Sequence, residues 1–333
     1  MTALKNYSLL IFSVTFLIFS FSCKWVSRKD TLESTTITKK GQLSTNGTFV
    51  VDERGIPVVL KGMSFFWSQW EGEYYNYDCV KWLRDDWKCD VVRAAMGVEA
   101  DSGYLEFPGV ELEKIKRVID AGIKLGIYVI VDWHSHFAER QTDEAVKFFS
   151  LIAEEYGEYP NIIYEIYNEP LRVSWDSVIK PYAETVIRAI RDIDPDNIII
   201  VGTPFWSQDV DIASGNPLKA DNIAYAVHFY AATHKQSLRD KCRTALDNGL
   251  CIWVSEFGTC SSDGDGEIDY EEMNAWLKFM DENKISWCNW SIADKEETAS
   301  ALKPGADPSG GWDMDMLSES GLYIRKLLIE DRQ

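Results

Sequence analysis

Eight short apolar runs, each followed by a stretch of helical periodicity, organise the chain from residue 58 to residue 329. The runs fall at 58–65, 91–97, 128–134, 162–169, 198–204, 223–230, 252–258 and 286–293, and are rich in Val, Ile, Phe, Tyr and Trp. Such residues suit a pleated, enclosed surface. Runs that are apolar throughout, without polar alternation, fit strands covered on both faces, as in parallel sheets. Between the runs, apolar positions recur every three or four residues. The pattern is clearest at 110–125, where Leu112, Ile115, Val118, Ile119, Ile123 and Leu125 share one face. Further helices are predicted at 78–86, 143–156, 175–193, 236–248, 270–283 and 319–329, with only 208–214 available for the fifth. Eight strand–helix units in series predict an α/β fold, a single (β/α)8 TIM barrel of roughly 250 residues. A chain of 333 residues leaves room for a leader and short extensions.

The leader reads as an export signal. Lys5 precedes an apolar stretch over 9–21, long enough for a signal-peptide core and short of the roughly 20 residues of a membrane span. Small residues before Cys23 predict a lipoprotein signal over 1–23, with Cys23 the first mature residue; cleavage near Ser22 in a plain secreted protein is the alternative. Residues 24–40, rich in Ser, Thr and charge, are expected to be a flexible tether, and 41–333 the catalytic barrel. Residues 49–51 and 58–60, joined by a turn at Gly55, are predicted to form a hairpin closing the barrel floor. The net charge of −19 argues against a nucleic-acid partner, since phosphate binding needs the opposite field.

Polar residues fall repeatedly at the carboxyl ends of the predicted strands, the rim where barrel enzymes keep their reacting groups. Arg93 lies on the second strand; Asp132 and His134 end the third, Asn168 and Glu169 the fourth, His228 and Tyr230 the sixth, Glu256 the seventh and Trp290 the eighth. Pro170 cannot donate a ladder hydrogen bond, so the fourth strand is expected to stop at Glu169. Two carboxylates on one rim are what glycosidic bond cleavage requires.

These motifs stand in order: Arg93 within Val91-Val92-Arg93-Ala94-Ala95-Met96, then Asp132-Trp133-His134 and Tyr167-Asn168-Glu169-Pro170. They continue with His228-Phe229-Tyr230, Ser255-Glu256-Phe257-Gly258, and Asn289-Trp290-Ser291 with Asp294-Lys295-Glu296-Glu297. From about Gly41 onward the chain resembles glycoside hydrolase family five, in particular its bacterial endoglucanases. The resemblance implies an endo-acting retaining hydrolase of β-1,4-glucans, without cofactor. It implies Glu169 as acid and base, Glu256 as nucleophile held by Arg93 and Tyr230, and Asn168 and His228 beside them. It also implies substrate contacts at His134, Trp290, Lys295 and Glu297; Trp206, Trp70 and Tyr104 are further candidates for sugar stacking. The family's usual sugar-contacting histidine is replaced by Phe66. Chitosan, mannan or xyloglucan remain alternative substrates, and a silent carbohydrate-binding protein is the alternative outside catalysis. The expected partner is a β-glucan, for an exported monomer touching a membrane only through a lipid anchor.

Residues 261–272 place Asp263, Asp265, Gly266, Ile268, Asp269 and Glu272 at calcium-loop positions, but Ser261 replaces the first aspartate and a strand precedes it. An acidic loop leading into a helix is the preferred reading, with no metal. Matched placement at helix-to-strand returns predicts disulfides Cys79–Cys89 and Cys242–Cys251, leaving Cys260 and Cys288 as thiols.

Overall fold

The computed structural model describes residues 34–99 and 101–330; the expected signal, Cys23 and most of the expected tether lie outside them. A two-stranded antiparallel sheet, β1 (Ser44–Asn46) and β2 (Phe49–Val51), precedes eight parallel strands. These are β3 (Lys61–Phe65), β4 (Val91–Gly97), β5 (Tyr128–His134), β6 (Ile162–Glu165), β7 (Ile199–Val201), β8 (Ile223–Tyr230), β9 (Ile252–Gly258) and β10 (Ser286–Ile292). They close in sequence order, with β10 pairing back on β3. The predicted TIM barrel is the observed fold.

Alternation along each strand divides the barrel into two cores. Val92, Val129, Val131, Tyr164, Val227, Phe229 and Val254 face outward into the helices. Val91, Tyr128, Ile130, Ile163, Ala226 and Trp253 face inward and fill the lower barrel. The helices follow their apolar stripes. Pro108–Leu125 starts on Pro108, whose missing N–H is no loss there, and stops at Gly126, whose φ of +69° a side chain would resist. Tyr77–Asp85 is capped by Asn76, whose side chain accepts the Cys79 N–H at 2.9 Å.

Several boundaries differ from the sequence reading. The hairpin forms between 44–46 and 49–51, because Gly47, at a φ of +58°, and Thr48 supply the tight turn, and residues 57–58 add only a bridge and one hydrogen bond beside it. It does cap the floor: Leu43 and Val50 are buried against the lower barrel. The end of the expected tether is ordered. Thr36–Lys40 is a short helix with Ile37 against the floor, and the Ile37 N–H bonds the Gly126 carbonyl at 3.0 Å. The predicted helix 175–193 divides into a π-turn, Trp175–Ile179, and Lys180–Arg191. The short fifth helix lies at Val210–Gly215. Neither predicted disulfide is present: Cys79, Cys242 and Cys251 are buried thiols, as are Cys260 and Cys288.

Candidate active site

Above the apolar lower barrel, the inward positions turn polar. Arg93, two residues beyond Val91, is fully buried and spreads its guanidinium across three carboxyl groups and an amide, with Ser64 Oγ at 3.3 Å as a fifth partner. It donates to Glu165 (2.7 Å), Asn168 (2.6 Å) and Glu256 (3.0 Å), and pairs with Asp132 at 2.9 Å. Burial alone would raise the Glu165 carboxyl, but the Arg93 charge and hydrogen bonds, with the His228 imidazole 3.7 Å away adding to them, outweigh it and hold it down at about 2. Asp132 goes the other way: burial and the neighbouring carboxylates push it well up. Its second contact is His134 Nδ1 at 2.6 Å, and burial keeps that imidazole neutral.

Glu256 reaches the same cavity through an irregularity in β9. The β8–β9 register shifts between Ala226 and His228, so that Ser255 and Glu256 both face inward while Val254 and Phe257 pack outward. Tyr230 donates its phenol to Glu256 Oε1 at 2.9 Å and Arg93 holds Oε2. Burial nonetheless pushes the Glu256 carboxyl up, with Glu169 adding to it and His228 and Arg93 opposing it. The cations therefore moderate the effect of burial without reversing it.

Glu169 stands opposite, and its carboxylate approaches His228 and Glu256 to within 4.8 Å. His228 lies between the layers: Nδ1 is 3.0 Å from Glu169 Oε1, and Nε2 is 3.0 Å from Ser255 Oγ. Ser255 gives its one proton to Glu165 at 2.6 Å, so it must accept from Nε2. Both ring nitrogens then occupy donor positions. Burial disfavours that cation, but the Glu256 charge and the Glu165 and Glu169 contacts raise the imidazole to about 9.

Two cavities of about 640 and about 180 Å³ meet over these groups and share His136, Glu169, Tyr230, Glu256 and Ser262. The larger runs to Phe205 and Trp206, the smaller to Phe66, Trp290, Lys295 and Glu297. The model of the cellulase family (glycosyl hydrolase family 5) matches residues 51–296. The chain belongs to glycosyl hydrolase family 5. It is 52% identical to endoglucanase Z of Dickeya dadantii, over 80% of this chain and 62% of that one. Endoglucanase A of Evansella cellulosilytica is 51% identical, over 83% of this chain and 57% of its own. The chain thus spans about three-fifths of the length of these relatives. Among solved structures, the catalytic domain of Thermobifida fusca endoglucanase Cel5A is 36% identical with a TM-score of 0.85, covering 88% of this chain and 99% of that one. A structure from Cytophaga hutchinsonii is 54% identical with a TM-score of 0.88, covering 89% and 97%.

In this family 5 barrel, most residues singled out from sequence converge on the cleft. His134 lies parallel to Trp290 at 5.1 Å between ring centres, with the Trp67 ring perpendicular to it at 4.1 Å. Lys295 pairs with Glu297 and sits 5.3 Å above the Phe66 ring. Trp206 is presented by a turn in which Phe205, Trp206 and Ser207 all have positive φ, an arrangement that the Phe205 and Trp206 N–H groups secure by donating to the Leu171 and Pro170 carbonyls. Two candidates lie elsewhere. Tyr104 packs against Trp133 and Phe148 in the helix layer, because the chain after β4 folds back over that helix face. Trp70 is half exposed beside Trp67 and Phe66, outside the lining of both cavities. The calcium pattern is not realised: Asp269 caps helix Tyr270–Asn283 and pairs with Lys235, and Glu272 pairs with Arg239.

Glu165, Ser255, His136, His234 and Trp67 escaped the sequence reading. Glu165 carried a signal: it sits two residues after Ile163, on the inward face, where a charge requires a partner. The histidines stand on loops, where no periodicity marks them. Among the described residues, no helix is long and apolar enough to cross a membrane.

Proposed function

We propose that the chain is an endo-acting, retaining β-1,4-glucanase. The observation that carries this reading is the close approach of Glu169 and Glu256 midway along a cleft that continues on both sides. A cleft open at both ends admits the interior of a polymer. Carboxyl groups of retaining enzymes lie about 5–5.5 Å apart, whereas inverting enzymes need roughly 6.5–9.5 Å to admit water between them. The Thermobifida fusca Cel5A catalytic domain, TM-score 0.84, has also been solved in complex with cellotetraose, which supports a linear glucan as substrate.

In this reading Glu256 attacks the anomeric carbon while Glu169 gives its proton to the departing glycosidic oxygen. The result is a glycosyl ester on Glu256 and a free chain end. Glu169, now a carboxylate, takes a proton from water as that water attacks the ester, which restores both residues. Asn168 offers its amide to the sugar 2-hydroxyl while Arg93 fixes its carbonyl oxygen. Tyr230 and Arg93 hold Glu256 on line, and Trp206 and Trp290 offer stacking faces to either side of the bond. Acid, base and nucleophile are all side chains, so the reaction calls on no cofactor. The polymer substrate and the leader together support export, with Cys23 as a lipid anchor.

Product analysis on carboxymethylcellulose, mixed-linkage glucan, mannan, xyloglucan and chitosan tests the assignment. A rapid fall in viscosity of the glucans with few new reducing ends is expected. Preferential cleavage of chitosan, favoured by the negative charge of the chain, would reassign the substrate.

A further inference from the structure

We infer that His136 is a positioning residue for Glu169, clamping the irregular peptide on which that carboxylate stands. The inference rests on the reading of Glu169 as acid and base.

The irregular peptide begins where β6 ends. The regular β5–β6 ladder stops at Asp132 opposite Glu165, four residues short of Glu169. Beyond it the two chains stay together through two long hydrogen bonds. Asn168 N–H reaches the Trp133 carbonyl and Glu169 N–H the Ser135 carbonyl, each at 3.3 Å. In a continuing parallel ladder the Phe137 N–H would next serve the Glu169 carbonyl. That donor is diverted, since it bonds Ser135 Oγ at 2.9 Å. Pro170 has no N–H to give. His136 fills the gap with its side chain, Nδ1 lying 3.2 Å from the Glu169 carbonyl oxygen. A carbonyl only accepts, so Nδ1 carries the proton. The same nitrogen is 3.7 Å from Glu169 Oε2, on the side opposite His228, which holds Oε1. The carboxylate is thus bracketed by two imidazoles, one anchoring its oxygen from below and one tying its backbone to β5.

His136 is itself held. Its ring rests 5.8 Å from Trp67, and its carbonyl lies 3.1 Å from the Tyr167 hydroxyl, whose proton goes to Glu139. It lines both cavities, so it stands at the junction where the scissile bond must lie. Loss of the clamp lets Glu169 drift, and a misplacement of about 1 Å can lower a rate about 100-fold.

The test compares wild type with His136→Asn and His136→Gln. The Asn amide nitrogen reaches the place of Nδ1, while the Gln amide reaches that of Nε2. Both variants are measured on cellotetraose, whose leaving sugar needs a proton, and on 2,4-dinitrophenyl β-cellobioside, whose leaving group does not. Thermal melts run alongside. We expect His136→Gln to lose about 10- to 100-fold in kcat/KM on cellotetraose and at least tenfold less in kcat/KM on the aryl glycoside, since that ratio reports formation of the glycosyl ester alone. His136→Asn recovers most of the difference. Equal losses on the two substrates, or an Asn variant no better than Gln, would overturn the clamp. Should wild type leave both glucosides intact, the substrate reading falls; the same three proteins on whichever glycan is cleaved then decide the clamp separately.

Discussion

Glu165→Gln is the sharpest probe of the charge arrangement beneath the cleft. The substitution keeps the shape of the side chain and an oxygen for Ser255, and removes one negative charge from a fully buried group. Arg93 Nε and Glu165 Oε2 are 2.7 Å apart, which puts the charge centres at roughly 4 Å. At an effective dielectric of about 20 that attraction is about 4 kcal/mol, and breaking buried pairs costs about 3–5 kcal/mol. Asp132 and Glu256 remain beside Arg93, so the lower end, about 3 kcal/mol, applies. For a domain of this size each kcal/mol shifts the midpoint by about 2 °C, giving a Tm about 6 °C lower by calorimetry. The variant should also titrate His228 at lower pH, since the Glu165 contact is one of the things that raises that imidazole. A variant melting within about 1 °C of wild type, with His228 unmoved by NMR, would show that Glu165 is not the counter-ion of the buried layer.

Further outcomes follow from the same geometry. Fresh hydrolysate examined by proton NMR should show the β-anomer first, and azide should accelerate Glu169→Ala on an aryl cellobioside while leaving Glu256→Ala inactive. A first-formed α-anomer would remove the nucleophile from Glu256. Thiol titration of denatured protein should find Cys79, Cys242, Cys251, Cys260 and Cys288 all reactive without reductant, whereas disulfide-linked peptides would restore the pairing expected from sequence. If Cys23 carries a lipid, Cys23→Ala should leave the membrane fraction or accumulate as precursor; unchanged processing and membrane association would exclude the anchor.

The barrel was legible because its strands are buried on both faces. β4, β5, β8 and β9 begin and end where the apolar runs do. β6 was overextended: Ile166 and Tyr167 keep the strand composition, but the regular ladder ends at Glu165 and the chain continues to Glu169 on scattered bonds. Rim carboxylates were legible because they follow apolar runs. The neutralising layer below was not, since Glu165 and Ser255 lie inside runs read as core. Glu256 faces the cleft only because β9 breaks its alternation, which composition does not announce. The disulfide expectation failed for a related reason: spacing at a helix-to-strand return brings residues near each other without aiming their side chains together.

The buried charges also set how stability changes with pH. His228 is raised to about 9 in the folded chain, against about 6.5 when unfolded. A folded value above the unfolded one means that the native state binds the proton more tightly. Its contribution is therefore complete below about pH 6.5 and is lost as pH rises through about 9. A shift of this size is worth up to about 3 kcal/mol for a side chain with no access to water. Glu256 and Asp132, also raised, lose stability in the same direction as pH climbs through their own folded values. Wild type alone would therefore mix the three. Glu165, held at about 2, works the other way: its contribution is present above about pH 4.5 and disappears as pH falls through about 2, so it is constant over the alkaline range. The difference between wild type and His228→Asn reports the histidine together with the hold it exerts on the neighbouring Glu256 carboxyl. Urea unfolding at intervals from pH 6 to 10 should show the wild-type curve falling more than that of the variant, by up to about 3 kcal/mol and centred between pH 6.5 and 9. Parallel curves would mean that His228 is neutral in the folded protein.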